Sequence, residues 1–108
     1  MDWISFETED NLHQILQASF HKPQIIFKHS TRCIISTLAK QRVEKYIDSS
    51  FDFHYLDLIQ HRNISNLIAE KFEVHHQSPQ LLIIKNGDCI FDESHGGINI
   101  QDLIDFKN

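Results

Sequence analysis

The segment PQLLIIKNGDCIFDE, residues 79 to 93, most narrows what this chain can build. Two β-prone runs flank Asn86-Gly87, the dipeptide that best suits a two-residue hairpin. The chain therefore contains an antiparallel pair of strands. Upstream, QIIFKH (Gln24 to His29) is a short apolar run bounded by turn residues, which predicts a buried strand. FDFHYLDLI (Phe51 to Ile59) alternates in part and predicts the next one. Between them Ile35, Leu38, Ala39, Val43, Tyr46 and Ile47 recur at three and four, predicting an amphipathic helix from about Cys33 to Ile47. Two strands joined through a helix run parallel, with a right-handed crossover.

Three more helices complete the pattern. Leu12, Ile15, Leu16 and Phe20 lie at helical spacing behind Asp10 or Asn11 as the cap, and Pro23 closes that helix. Ile64, Leu67, Ile68 and Phe72 mark another, with Asn63 as its expected cap. Asn99 is the expected cap of a last short helix carrying Leu103, Ile104 and Phe106. The order is α, β, α, β, α, β, β, α. A four-stranded mixed sheet with helices on both faces satisfies it, in one α/β domain over residues 1–108. That arrangement is the core of a thioredoxin-like fold.

Charge and length remove several function classes. The net charge of −5 argues against a nucleic-acid binder, which needs clustered Lys and Arg. No apolar stretch nears the ~20 residues of a membrane span, so no membrane partner is expected. The acidic start MDWISFETED carries no signal-peptide pattern. Two cysteines do not make a disulfide framework, which fits a reducing cytoplasm.

Cys33 stands where the first central strand ends and the next helix begins. Unpaired backbone N–H groups at a helix start favour a thiolate. Arg32, Lys28 and His29 make the neighbourhood positive within an acidic chain. A small buried hydrophobe is the bland alternative for a cysteine, but position and charge favour a nucleophile. Cys33-Ile34-Ile35-Ser36 is a C-x-x-S, so Ser36 stands where a dithiol protein carries its resolving cysteine. Its hydroxyl can donate to the thiolate yet cannot resolve a mixed disulfide. Cys89, in the hairpin with Asp88 and Ile90 as neighbours, reads as structural. Pro79 opens a strand, a tolerated position. In a thioredoxin-like layout it faces the thiol through a cis peptide bond and turns the Ser78 backbone toward an extended substrate.

Taken together, KHSTRCIIS, HRNISNLIAEKFEVHHQSPQ and SHGGINI resemble the monothiol bacilliredoxins, the YtxJ-like branch of the thioredoxin superfamily. The resemblance runs from about Lys28 to the C-terminus. That family usually has proline after the cysteine, where this chain has Ile34. The resemblance implies a thiol-disulfide oxidoreductase that removes bacillithiol from protein mixed disulfides through Cys33. The partners implied are thiolated client proteins and the small thiol, with no cofactor and no metal. The substrate edge would comprise Arg32, His76, Ser78, Pro79, His95 and Gly96, with Arg42 a further candidate for the small thiol's carboxylates. Gly96-Gly97 also resembles the place where glutaredoxins hold glutathione, which makes that thiol a rival substrate.

Two other classes compete. A monothiol glutaredoxin-like iron–sulfur carrier would use Cys33 as its one protein ligand. A redox-fold adaptor would have no turnover. His21, His29, His54, His61, His75, His76 and His95 suggest zinc by number, but none has H-E-x-x-H spacing and no C-x-x-C accompanies them. His76 and His95 are set apart because both fall on loops at the thiol end of the sheet.

Overall fold

The computed structural model describes residues 3–46 and 49–106. Its sheet has five strands in the order β1-β3-β2-β4-β5: β1 Ile4–Ser5, β2 Gln24–His29, β3 Asp52–Asp57, β4 Gln80–Lys85 and β5 Asp88–Ser94. β2 and β3 are parallel, and β2–β4 and β4–β5 are antiparallel. The expected four strands are all present. The addition is β1, parallel to β3. Two residues with no period to read leave no strand signal; β1 forms because β3 offers it an edge.

Asn86 and Gly87 have φ of 53° and 81°, the signs a type I′ hairpin turn requires. A bulge follows: Ile83 faces Phe91 while Ile84 faces Cys89, so Ile90 is the extra residue.

Helices α1 (Glu9–Ala18) and α3 (Arg62–Phe72) cover one face; α2 (Ile34–Glu44) and α4 (Ile100–Asp105) cover the other. Ile26, Leu56, Leu82 and Ile84 pack against Leu12, Ile15, Ile64 and Ile68 on the first side. Ile25, Phe27, Phe53, Leu81 and Ile83 pack against Ala39, Val43 and Leu103 on the second.

Several local expectations are corrected. The cap of α1 is Thr8, whose Oγ1 accepts from Asn11 N while Asn11 Oδ1 accepts from Thr8 N. Asn11 is thus the reciprocal partner three residues on, and Asp10 lies inside the first turn. Phe20 falls beyond the helix and is exposed. The cap position of α3 is His61, and Asn63 lies within the helix. Asn99 does cap α4, accepting from Asp102 N at 3.2 Å. On α2 the buried row is Ser36, Ala39 and Val43, whereas Ile35 and Leu38 are about half exposed. Periodicity located this helix and picked out Ala39, Val43 and Tyr46, which do meet the core; Ile35 and Leu38 lie at the exposed margin, and Ser36 completes the covered row. Ile47, the expected helix end, lies outside the described residues.

Candidate active site

β2 delivers the thiol. It lies between β3 and β4, all six of its residues are buried, and it ends at His29. The loop 30–32 then turns back, with Cys33 N donating to Ser30 O at 3.2 Å. Cys33 occupies the cap position of α2, with φ −121° and ψ 120°, one residue earlier than the expected first-turn site. Its carbonyl accepts the first helical bond, from Thr37 N at 3.1 Å. Its sulfur makes no capping bond, so the thiol stands beside the free N–H groups of the first turn without being spent on them. Arg32 is exposed on the approach. Ile34, 70% exposed, with Ile35 and Leu38 forms an apolar rim on the same helix.

Ser36 is buried, and its hydroxyl is already engaged. Oγ lies 2.6 Å from His29 Nδ1 and accepts from Ser30 N at 3.0 Å. The side chain that the motif aligns with the thiol therefore ties the last residue of β2 and the loop to α2. Burial, then the Lys40 charge, push the His29 imidazole below its ordinary value, against the opposing pull of Asp57 and Glu44. A neutral His29 can take the Ser36 O–H bond at Nδ1.

Pro79 meets the same end of the sheet from β4. Gln80 pairs with Lys28, so Pro79 lies beside the last turn of chain before Cys33. The Ser78–Pro79 bond is cis, as expected. Pro79 is buried and its carbonyl accepts from His95 N at 3.1 Å. Ser78 Oγ is buried without a partner. His95 starts a 3-10 turn, His95–Gly97, with φ of 52°. Arg42 pins this turn to α2, donating from Nε to Ile98 O at 2.9 Å and from Nη2 to His95 O at 3.2 Å. Arg42 therefore shapes the loop and is not a free guanidinium. A Cβ at Gly96 would meet nothing within 4 Å, while one at Gly97 would come within 2.6 Å of Glu93 Cδ. Gly96 is the open member of the pair.

His76 sits at the same end of the sheet but on its other face. Its Nδ1 is 3.0 Å from Lys28 Nζ and 3.2 Å from Ser65 Oγ, on the α3 side of the sheet. Lys28 is fully buried, and burial, then the Arg62 charge, lower its amine from 10.5 to about 8. Lys28 and His29, two of the three residues expected to make the Cys33 neighbourhood positive, are both buried. The signal was present in QIIFKH. A central strand covered on both faces buries every residue, polar ones included.

Cys89 lies apart. It pairs with Ile84, four residues along β4 from Gln80, or about 13 Å at ~3.3 Å per residue. Its Sγ lies 3.3 Å from Phe91 O, and burial, first among its causes, pushes the thiol up to about 11. Both cysteines are free. Among the described residues no three His, Cys, Asp or Glu side chains converge as a metal site, and no helix is long and apolar enough to cross a membrane.

A thiol at the start of α2, a cis-proline opening β4 and this sheet order define a thioredoxin-fold thiol protein. A solved structure described as having a thioredoxin fold is 31% identical, with a TM-score of 0.87, over 97% of this chain and 93% of that one. Thioredoxin from Trypanosoma brucei brucei is 13% identical with a TM-score of 0.75, covering 98% of this chain and 87% of its own. Thioredoxin from Malassezia sympodialis is 17% identical with a TM-score of 0.75, covering 98% and 88%. These last two show the fold alone. The family model of monothiol bacilliredoxin BrxC matches residues 4–103, and the chain belongs to that family.

Proposed function

We propose that this protein removes a low-molecular-weight thiol, bacillithiol, from mixed disulfides on client proteins, with Cys33 as the nucleophile. The observation that carries the reading is a thiol at the head of α2 with a buried hydroxyl, Ser36, where a dithiol enzyme would place its second sulfur. Cys33 thiolate attacks the small-thiol sulfur of the mixed disulfide. The disulfide S–S bond breaks, and the client leaves with its own sulfur as a thiolate that takes up a proton. The small thiol is now bonded to Cys33. A thiolate from solution then attacks this adduct, forms a disulfide with the small thiol and returns Cys33 reduced. The outside thiol supplies the reducing equivalents. Ser36 cannot perform that step, because a serine oxygen forms no stable S–O product under these conditions. Ser78 and Pro79 would present backbone to the client, with His95 and Gly96 flanking it and Arg32 at the approach. Two free cysteines suit work in a reducing cytoplasm.

Intact mass after one turnover without a second reductant tests this. Wild type should hold the small thiol on Cys33, Cys89→Ser should do the same, and Cys33→Ser should release no client thiol. A Cys33–Cys89 disulfide in place of the adduct would overturn the monothiol cycle. Release of client thiol by Cys33→Ser would overturn the choice of nucleophile.

A further inference from the structure

The proposed cycle leaves one group of side chains unused. Lys28, Arg62, His75 and His76 gather where β2, the start of α3 and the loop before Pro79 meet. Lys28 is fully buried and its amine is 3.0 Å from His76 Nδ1. An ammonium can only donate, so His76 Nδ1 accepts and the ring proton sits on Nε2. Ser65 Oγ approaches the same Nδ1 at 3.2 Å. Arg62, three residues before Ser65 and therefore on the same side of α3, is exposed. Burial and then Arg62 lower the Lys28 amine, and burial, then Lys28 and Arg62, lower the His76 imidazole.

Nearby carboxylates are committed elsewhere. Glu7 reaches His61 at 3.5 Å, Asp57 Oδ1 accepts from Ile59 N and Gln60 N, and Asp92 takes the Gln80 amide at 3.4 Å. Among the described residues neither Lys28 nor Arg62 has an ion pair. The first turn of α3 adds no acid, and its cap residue makes no side-chain cap bond. Ser78 Oγ, two residues from His76, is buried without a partner. Burying a cation without a counter-charge is costly. A buried amine with a second cation, Arg62, acting on it and no carboxylate among the described residues paired to either, in a chain of net charge −5, amounts to a place prepared for an anion.

We propose that Arg62 and His76 Nε2–H form a subsite for a substrate carboxylate at the thiol end of the sheet. Buried Lys28 is the positioning residue that sets the His76 tautomer. This rests on the reading of Cys33 as the attacking thiol. It names what the substrate must carry: an acidic group on the small thiol, or on the client beside its modified cysteine. Arg62 takes the part that sequence reasoning gave to Arg42, whose guanidinium is spent on loop carbonyls.

The test uses a peptide with one cysteine, made with a neutral or an acidic flank, and disulfide-linked to mercaptosuccinate or to 2-mercaptoethanol. Wild type should prefer the mercaptosuccinyl adduct in kcat/KM by about tenfold, mostly through KM. Preference for the acidic flank instead would assign the carboxylate to the client and support the same subsite. Arg62→Ala and Lys28→Met should each lower the ratio of acidic to neutral turnover, and Arg62→Lys should restore part of it. Succinate added to the unmodified protein should shift the His76 imidazole resonances in wild type and not in Arg62→Ala. No acidic preference in either arm, or a ratio unchanged in Arg62→Ala, overturns the subsite. Absence of any Cys33 adduct, with the succinate shift intact, overturns the proposed cycle and leaves the subsite standing.

Discussion

Replacing Lys28 by methionine should make stability depend on pH in a way the arithmetic specifies. The folded amine is lowered from 10.5 to about 8, whereas in the unfolded chain it keeps its ordinary value. Below pH 8 both states carry the proton, and the folded state bears the cost of a buried charge. Between about 8 and 10.5 the unfolded chain still binds the proton and the folded one has lost it, so wild-type stability rises with pH. The drop of about 2.5 pH units corresponds to ~3 kcal/mol at ~1.4 kcal/mol per unit. Lys28→Met keeps the volume and removes the charge. Its stability relative to wild type should be greatest at pH 7 and should fall by ~2–3 kcal/mol between pH 7 and 10.5. Loss of the bond to His76 offsets part of the gain at every pH by about 0.5–1.5 kcal/mol and leaves the slope alone. Cys89 titrates with the opposite sign, since its raised thiol contributes stability that is lost as pH climbs from 9 to about 11; comparing variant with wild type cancels it. Urea midpoints at four pH values between 7 and 10.5 give the curve. A difference that does not change with pH would refute the claim that Lys28 is buried as a cation.

Three further outcomes follow from the structure. Ser36→Ala leaves Ser30 N–H and His29 Nδ1 without their partner, and should cost about 1–3 kcal/mol by chemical denaturation. Burial lowers His54 from 6.5 to about 4; the unfolded chain takes the proton first, so stability should fall by up to ~3 kcal/mol across that window, and His54→Gln should flatten this acid limb. Gly87→Ala puts a Cβ at a φ of +81° and 3.2 Å from Phe20 Cζ, which should cost about 1–3 kcal/mol in thermal unfolding, whereas Gly96→Ala, with open space around it, should leave the midpoint nearly unchanged.

Local chemistry made the framework legible from sequence. QIIFKH reads as a strand because an apolar run of that length between turn residues has few other uses, and β2 spans those same residues. Asn86-Gly87 reads as a hairpin because positive φ suits those residue types, and both adopt it. The position of Cys33 at a strand-to-helix junction followed from the same reasoning and needed no distance. Contacts between elements decided the rest. β1 exists because β3 has a free edge, a cause lying some fifty residues away in the chain. Ser36 turned from the thiol to His29 because the covered face of α2 is the row Ser36, Ala39 and Val43, which periodicity alone could not choose over Ile35 and Leu38. Lys28 and His29 lie side by side in sequence, yet strand alternation sends one to α3 and His76 and the other to α2 and Ser36. A one-dimensional pattern shows where charge and thiol lie along the chain. Which groups share a dry space, and so which charges go unpaired, depends on how the sheet is covered.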